Sequence, residues 1–460
     1  MGGKGVFISM TENSAIQKNV KEKKVMNRWI VVLGGILIQL ALGAIYAWSA
    51  FTTPLQGASG SPSEFAFSKT ETQAIFSAGL LTFAIFTIIG GRLQIKYGSM
   101  KIALSGGILL GLGYIVASFV GALFVGKLVS IGIIAGAGIG LAYVVPIAVG
   151  VKWFPDKKGL VSGLAVAGFG FGAFIWILLA NPPSILGFSG LITKQAGVYT
   201  ILNVDYAFRL YGCMFLILVG IGSLFMKNPP AGWKPVGWTP PIGDQKNKKV
   251  GINCKPREMC KKKEFYLLWL MFIIGALAGL MVIGNVQNFA KSAIDGFTAY
   301  GFSAKDAADF AVLGAAICLP IFNGAGRIVW GQVSDRIGRR KALISMFLFQ
   351  GVMMVVFFYT TMNPYFFYIV AALIGFNFGG NFALFPAACA DSFGAENLGL
   401  NYGFIFTAYG IGGTVGPLLA GAVQDAGMSF LYAFIPAAIM CFIAAVLAVI
   451  YRDSAQQKSV

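Results

Sequence analysis

Apolar residues fall along this chain in long, nearly unbroken runs, and polar residues collect in short stretches between them. Runs near 29–55, 72–94, 100–123, 128–151, 160–181 and 206–226 precede a polar break at 227–264. Six more follow, near 265–289, 307–333, 341–361, 364–390, 399–423 and 429–451. Each is close to the roughly 20 residues that a helix needs to cross about 30 Å of hydrocarbon. The pattern predicts an all-α integral membrane protein with twelve transmembrane helices and both termini on one side. The expected organisation is an N-terminal segment 1–28, a six-helix half 29–226, a linker 227–264, a second six-helix half 265–451 and a tail 452–460. The first run is too long for a signal-peptide core and is expected to stay as an uncleaved first helix.

Composition agrees with this reading. The chain is 57% hydrophobic and only 11% charged, with mean hydropathy +0.76, which excludes an ordinary soluble protein. A net charge of +18 would suggest nucleic acid in a soluble chain, but here it is topological. Of 35 lysines and arginines, 28 fall on the side holding the termini, the linker and the turns at 92–101, 152–158 and 336–341. Six (Lys69, Lys127, Lys194, Arg209, Lys291 and Lys305) fall on the other. That asymmetry predicts cytoplasmic termini in a multi-pass protein of the cell membrane. Contact with anionic lipid headgroups is expected, and no nucleic acid partner.

The two halves repeat. At a constant offset of 240 residues, Trp29 meets Trp269, Gly35 meets Gly275, Gly91 meets Gly331 and Gly98 meets Gly338. Further along, Pro146 meets Pro386, and Gly163, Gly170 and Gly172 meet Gly403, Gly410 and Gly412. Two parallel six-helix repeats are the pattern of an alternating-access carrier with its site between the halves at mid-depth.

One charge interrupts the apolar interior. Arg327 lies about 12 Å along its helix from Asp335 and about 27 Å from Asp309. A cation at that depth costs about 3 kcal/mol on insertion scales and normally faces a cavity with a partner. No partner is evident nearby in sequence. A snorkelling or carbonyl-capping arginine is the bland alternative. The functional reading is a carboxylate receptor, because a guanidinium stays charged and donates two parallel hydrogen bonds. Tyr46 and Trp48 in the first helix, Tyr143 in the fourth, Phe378 and Phe382 in the tenth and Tyr409 in the eleventh are positioned to wall such a site. Aromatics at these depths otherwise serve packing or the interface.

Other residues carry less. The glycine runs Gly132–Gly140 and Gly410–Pro417 predict close helix packing. Glu71, Asp306 and Asp309 read as solvated caps at helix ends. Histidine is absent, so no buried proton relay of the usual kind is expected unless Asp309 moves inward. Cys254 and Cys260 are poorly spaced for zinc, and no nucleotide loop or catalytic constellation is present. No cofactor, metal or enzymatic activity is expected.

Gly331-Gln-Val-Ser-Asp335-Arg336-Ile-Gly338-Arg339-Arg340 resembles the signature between helices 8 and 9 of the major facilitator superfamily. Its first-half copy, Gly91-Arg-Leu-Gln-Ile95-Lys96-Tyr-Gly98, has Ile95 in place of the acid. Lys152-Trp-Phe-Pro-Asp-Lys-Lys-Gly159, Asn323-Gly-Ala-Gly-Arg327, Ala383-Leu-Phe-Pro386 and Asn401-Tyr-Gly403 resemble the oxalate/formate antiporter family, relatives of the monocarboxylate carriers. The resemblance implies the major facilitator fold and transport of a small carboxylate, with either a co-transported proton or a counter-anion. It also implies substrate contacts from Arg327, Asn323, Tyr46, Tyr143 and Phe382, with Phe378 and Tyr409 beside them. Gly331, Asp335, Arg336, Gly338 and Arg339 are implied as a cytoplasmic gate. Oxalate-exchanging relatives resemble this chain but carry a second intramembrane cation, a lysine eight residues after the asparagine of Asn-Tyr-Gly. Counting from Asn401 puts Tyr409 there. One cation favours a monocarboxylate such as lactate, pyruvate or formate, with oxalate:formate exchange as the alternative. A carrier-like sensor would need an output domain larger than the linker of about 38 residues. The chain is expected to work as a monomer.

Overall fold

A computed structural model describes residues 26–56, 65–154, 158–182, 190–192, 201–230, 233–235, 254–292, 301, 303, 313–360, 363–394 and 397–451. Asp306 and Asp309 lie outside the described residues, as do most of the N-terminal segment, much of the linker and the tail.

The apolar runs fold as helices: α1 (Arg28–Leu42), α2 (Ser49–Gln56), α3 (Lys69–Tyr97), α4 (Ser99–Ala117), α5 (Gly136–Trp153), α6 (Lys158–Ala180) and α7 (Ile201–Leu224). After the linker come α8 (Lys263–Ser292), α9 (Leu319–Ile337), α10 (Arg339–Tyr359), α11 (Pro364–Phe393), α12 (Leu398–Asp425) and α13 (Leu431–Ile450). A 3₁₀ turn at Gly43–Ala47 joins α1 to α2, and wide π turns at Leu128–Ala135 and Gly314–Cys318 lead into α5 and α9. No strand occurs among the described residues. Ten helices there are long and apolar enough to cross a membrane. α6 and α9 fall outside that set; α9 holds Arg327, Asp335 and Arg336 within 19 residues.

Helices before residue 230 pack mainly on one another, as do those after 254. Contacts between the two groups concentrate on α3 against α12 and α6 against α9. The 240-residue offset carries α3 onto α9 and α12 onto α6, so it exchanges these two pairs. The repeat read from the sequence thus relates the two main contact pairs between the groups to each other.

The same offset governs the turns. Gly98 ends α3 at φ 90° and Gly338 ends α9 at φ 88°, and their N–H groups donate to Gln94 O and Ser334 O at 3.0 Å each. Backbone in that region is essentially confined to glycine. These turns define one end of the bundle, here the basic end. There Arg28 lies over Phe154, Trp153 donates to Lys227 O, and Arg92 of α3 lies over Phe404 of α12. At the far end, Ser68 and Glu71 form a capping box on α3, so Glu71 is the cap expected of it. Asp425, at the end of α12, accepts from Lys69 N and Thr70 N at 2.9 and 2.7 Å.

Lys127, counted on the side opposite the termini, is fully buried, pairing with Asp205 and donating to Ala117 O. The partner lies 78 residues away on α7, and Phe65 and Phe208 present ring faces to the ammonium. Pairing and hydrogen bonding make such burial tolerable.

Gly98→Ala is expected to cost about 1–3 kcal/mol, since a Cβ there meets open space and only the backbone is strained. Gly91→Ala, also in open space but at ordinary helical φ, should be neutral or slightly stabilising. Thermal melting of the two purified variants checks the contrast.

Candidate functional site

The site is set by how closely α9 approaches α11. A Cβ at Gly326 would land on the carbonyl of Phe376, and one at Gly379 on the carbonyl of Asn323. With those two glycines the helices meet backbone to backbone, and the next residue on α9, Arg327, is held against α11 with only 7% of its surface exposed.

The guanidinium finds three neutral partners. Its Nε donates to Asn323 Oδ1 at 3.1 Å, one turn back on the same helix. Its Nη1 donates to Val166 O of α6 at 3.2 Å, across the interface between the helix groups. Its Cζ lies 4.3 Å from the centre of the Phe382 ring. It makes no ion pair among the described residues. The positive charge is thus held in place but not neutralised, which is the electrostatic condition for recruiting an anion.

The other expected residues gather here. Tyr46 and Tyr409 share a hydroxyl–hydroxyl hydrogen bond of 2.8 Å from opposite helix groups, and both are buried. Phe382 packs edge-on to Tyr409 and to Phe378, with ring centres 5.7 and 5.4 Å apart. Phe378 in turn meets Tyr46. Tyr143 sits across the cluster against Phe406 at 5.8 Å, and Gln39 Nε2 donates to its backbone carbonyl at 3.0 Å. Asn323 is buried and serves Arg327 directly. Trp48 is not part of this cluster; its indole donates to Thr72 O towards the far end.

Sequence reading missed Phe83, Phe169 and Phe406. Phe169 packs on Tyr46 at 4.9 Å, Phe83 on Tyr143 at 5.0 Å, and Phe406 stacks on Tyr409 at 4.8 Å. The repeat held the signal for two of them: the 240 offset takes Phe83 to Asn323 and Phe169 to Tyr409. It also takes Thr87 to Arg327, so the first half supplies aromatic walls and no cation.

At the basic end, Arg339 pairs with Asp335 at 2.6 Å and with Asp391 at 2.9 Å, and also donates to Ser334. Asp391, near the end of α11, was not foreseen. Arg336 is exposed and makes no ion pair among the described residues. Gly338 supplies the left-handed turn, while Gly331 has only an ordinary contact with Ala383. At the far end the helix groups are joined by Gln73 Nε2 to Gly284 O, Ser77 Oγ to Thr414 O and Thr52 Oγ1 to Asn288 Oδ1.

The sequence matches known proteins along most of its length. The sequence model of the Major Facilitator Superfamily matches residues 29–321 and 296–460. The chain is 29% identical to the MFS-type transporter YhjX of Escherichia coli (strain K12), over 84% of this chain and 85% of that protein. It is 28% identical to the oxalate:formate antiporter of Oxalobacter formigenes, over 92% and 91%. To the apicoplast pyruvate carrier 1 of Toxoplasma gondii it is 28% identical, over 85% and 83%.

Gly326→Ala should force α9 away from α11 and destabilise the protein by about 1–3 kcal/mol. Gly331→Ala, with ordinary space beside it, should melt close to the parent. Thermal unfolding in detergent separates the two.

Proposed function

This chain belongs to the Major Facilitator Superfamily, and from that premise we propose a secondary active transporter of small organic anions that works by alternating access. Monocarboxylates such as lactate, pyruvate or formate are its substrates. The observation that carries this reading is Arg327, a permanent cation buried between the helix groups with neutral partners only. A carboxylate entering the site exchanges the Val166 carbonyl for two charge-assisted bonds, which are stronger. Tyr46 and Tyr409 turn hydroxyls toward each other, and either hydroxyl can rotate to donate to the anion. The rings of Phe382, Phe378 and Tyr143 exclude water, which strengthens that pairing. The transporter is a multi-pass membrane protein, here assigned twelve spans in two halves, cytoplasmic termini and a place in the cell membrane. The relatives described as carriers of pyruvate or as oxalate:formate antiporter point to the same chemical class.

In this scheme the basic end is cytoplasmic, and Asp335, Arg339 and Asp391 brace the turn between α9 and α10 as part of its gate. Coupling is to a proton or to a counter-anion. The transporter acts as a monomer.

A second reading, oxalate:formate exchange, draws on the relative from Oxalobacter formigenes. Charge decides between the two. A monoanion is neutralised by Arg327, whereas a dianion keeps one net negative charge in a poorly solvated site. Tyr409 occupies the position where a second cation would stand. At an effective dielectric of about 20, a missing cation some 4 Å away forfeits about 4 kcal/mol, or a factor of about a thousand in affinity.

In proteoliposomes, Arg327→Ala is expected to abolish uptake of labelled monocarboxylate, and Arg327→Lys to retain only a few per cent, since a point charge replaces the planar fork. Near-normal uptake by Arg327→Ala would refute the assignment. In competition against labelled lactate, unlabelled oxalate should be at least a hundredfold weaker than unlabelled lactate; equal potency would replace the monocarboxylate reading with oxalate exchange.

A further inference from the structure

A small cavity opens beside the anion site, one helical turn from Arg327 towards the far end. Its polar lining comes from Tyr46, Ser49 and Asn323, and its apolar walls include Ala173, Ile283 and Leu319. In this arrangement it has room for about one water-sized group, so the carbon-2 end of a three-carbon acid enters only when the helix groups part slightly around it. Two of its polar residues already belong to the anion site: Asn323 Oδ1 accepts from Arg327, and the Tyr46 hydroxyl is bonded to that of Tyr409.

Ser49 is the exception. Its side chain is only 1% exposed, and its hydroxyl oxygen has no hydrogen-bond partner among the described residues. A buried hydroxyl left unpaired costs about 1–3 kcal/mol, so such a group is normally satisfied. Ser49 follows Tyr46 by three residues and so shares its helix face. The 3₁₀ turn at Gly43–Ala47 turns that face towards the cavity, and Gly43 packs directly on the Phe169 carbonyl, fixing the turn. The result is one unused hydroxyl in a cavity whose other polar residues already serve the anion site, next to a fixed cation.

We propose that Ser49 is a specificity-determining residue: its hydroxyl donates a hydrogen bond to the oxygen on carbon 2 of a short 2-oxo or 2-hydroxy monocarboxylate whose carboxylate rests on Arg327. This rests on the carboxylate reading of the site. The apolar walls take the terminal methyl, and Asn323 separates the charged end of the substrate from the neutral end. Formate has no group to place in the cavity. Propionate fills it but leaves Ser49 unpaired, and pyruvate fills it and satisfies Ser49.

The test compares pyruvate with propionate, which match in carbon count and differ at carbon 2. Initial uptake of each labelled acid is measured in proteoliposomes with the parent, Ser49→Ala and Ser49→Thr. The parent is expected to prefer pyruvate, and Ser49→Ala to lower the pyruvate-to-propionate ratio of kcat/KM about five- to tenfold. Propionate uptake itself should be unchanged, which shows that the variant is folded. Ser49→Thr, which keeps the hydroxyl, should retain most of the preference. An unchanged ratio in Ser49→Ala, or an equal fall for both acids, overturns the role of Ser49 while leaving the anion site intact. A parent protein that transports neither acid, nor any other monocarboxylate, overturns the carboxylate reading and this proposal with it.

Discussion

The burial of one guanidinium is the constraint to which the rest of the bundle answers. A charge in an apolar interior is tolerable only when it finds polar partners, and Arg327 finds them for Nε and Nη1 without an acid. Asn323 supplies an oxygen from the preceding turn, Val166 lends a second lone pair on a carbonyl, and Phe382 offers the negative face of its ring. Each of those partners in turn demands something of the fold. Asn323 lies beside Arg327 because it is one turn back on α9, Gly379 lets α11 close on that turn, and Val166 is in reach because α6 packs on α9. An acid in place of any of them would neutralise the charge and leave nothing for a substrate to gain.

The 240-residue offset between the helix groups sharpens this. A repeat that kept a cation at both equivalent positions would hold two positive charges between the halves. Instead the position paired with Arg327 is Thr87, whose hydroxyl turns back to Phe83 O and is satisfied within its own helix. Asn323 is paired with Phe83 and Tyr409 with Phe169, so one half has kept polar groups where the other has rings. Positions related by the offset therefore share a helix frame and differ in side-chain chemistry.

Much of this was legible in the sequence, for a physical reason. Apolar runs, turn glycines and the depth of a lone arginine are local or periodic properties, and a bilayer imposes them strictly. The seven expected substrate contacts gather in one cluster, while Trp48, two residues from Tyr46, turns to Thr72 instead. What could not be read was pairing between distant stretches. Asp391 is 52 residues from Arg339, and Asp205 is 78 from Lys127. A lysine near a helix end looks like a topological marker until a carboxylate from another helix is seen to cover it. Ser49 was overlooked because a serine in an apolar run carries no charge, and only the surrounding packing reveals that its hydroxyl is unused.

The chemistry of the seam between the helix groups bears on how they separate. At the far end the cross-links are mainly bonds between neutral groups: Gln73 to the Gly284 carbonyl, Ser77 to the Thr414 carbonyl and Thr52 to Asn288. Such a bond has a net worth of about 1 kcal/mol because water replaces it when it breaks. Asp425, set on the first turn of α3, is the ionised member, and it too faces a side that water can reach. The strong pairs, Lys127 with Asp205 and Arg339 with Asp335 and Asp391, each lie within one group and survive separation intact. Strength is therefore spent inside the moving bodies and economised between them. None of these ion pairs crosses the seam, so the bundle can part along it with those pairs intact.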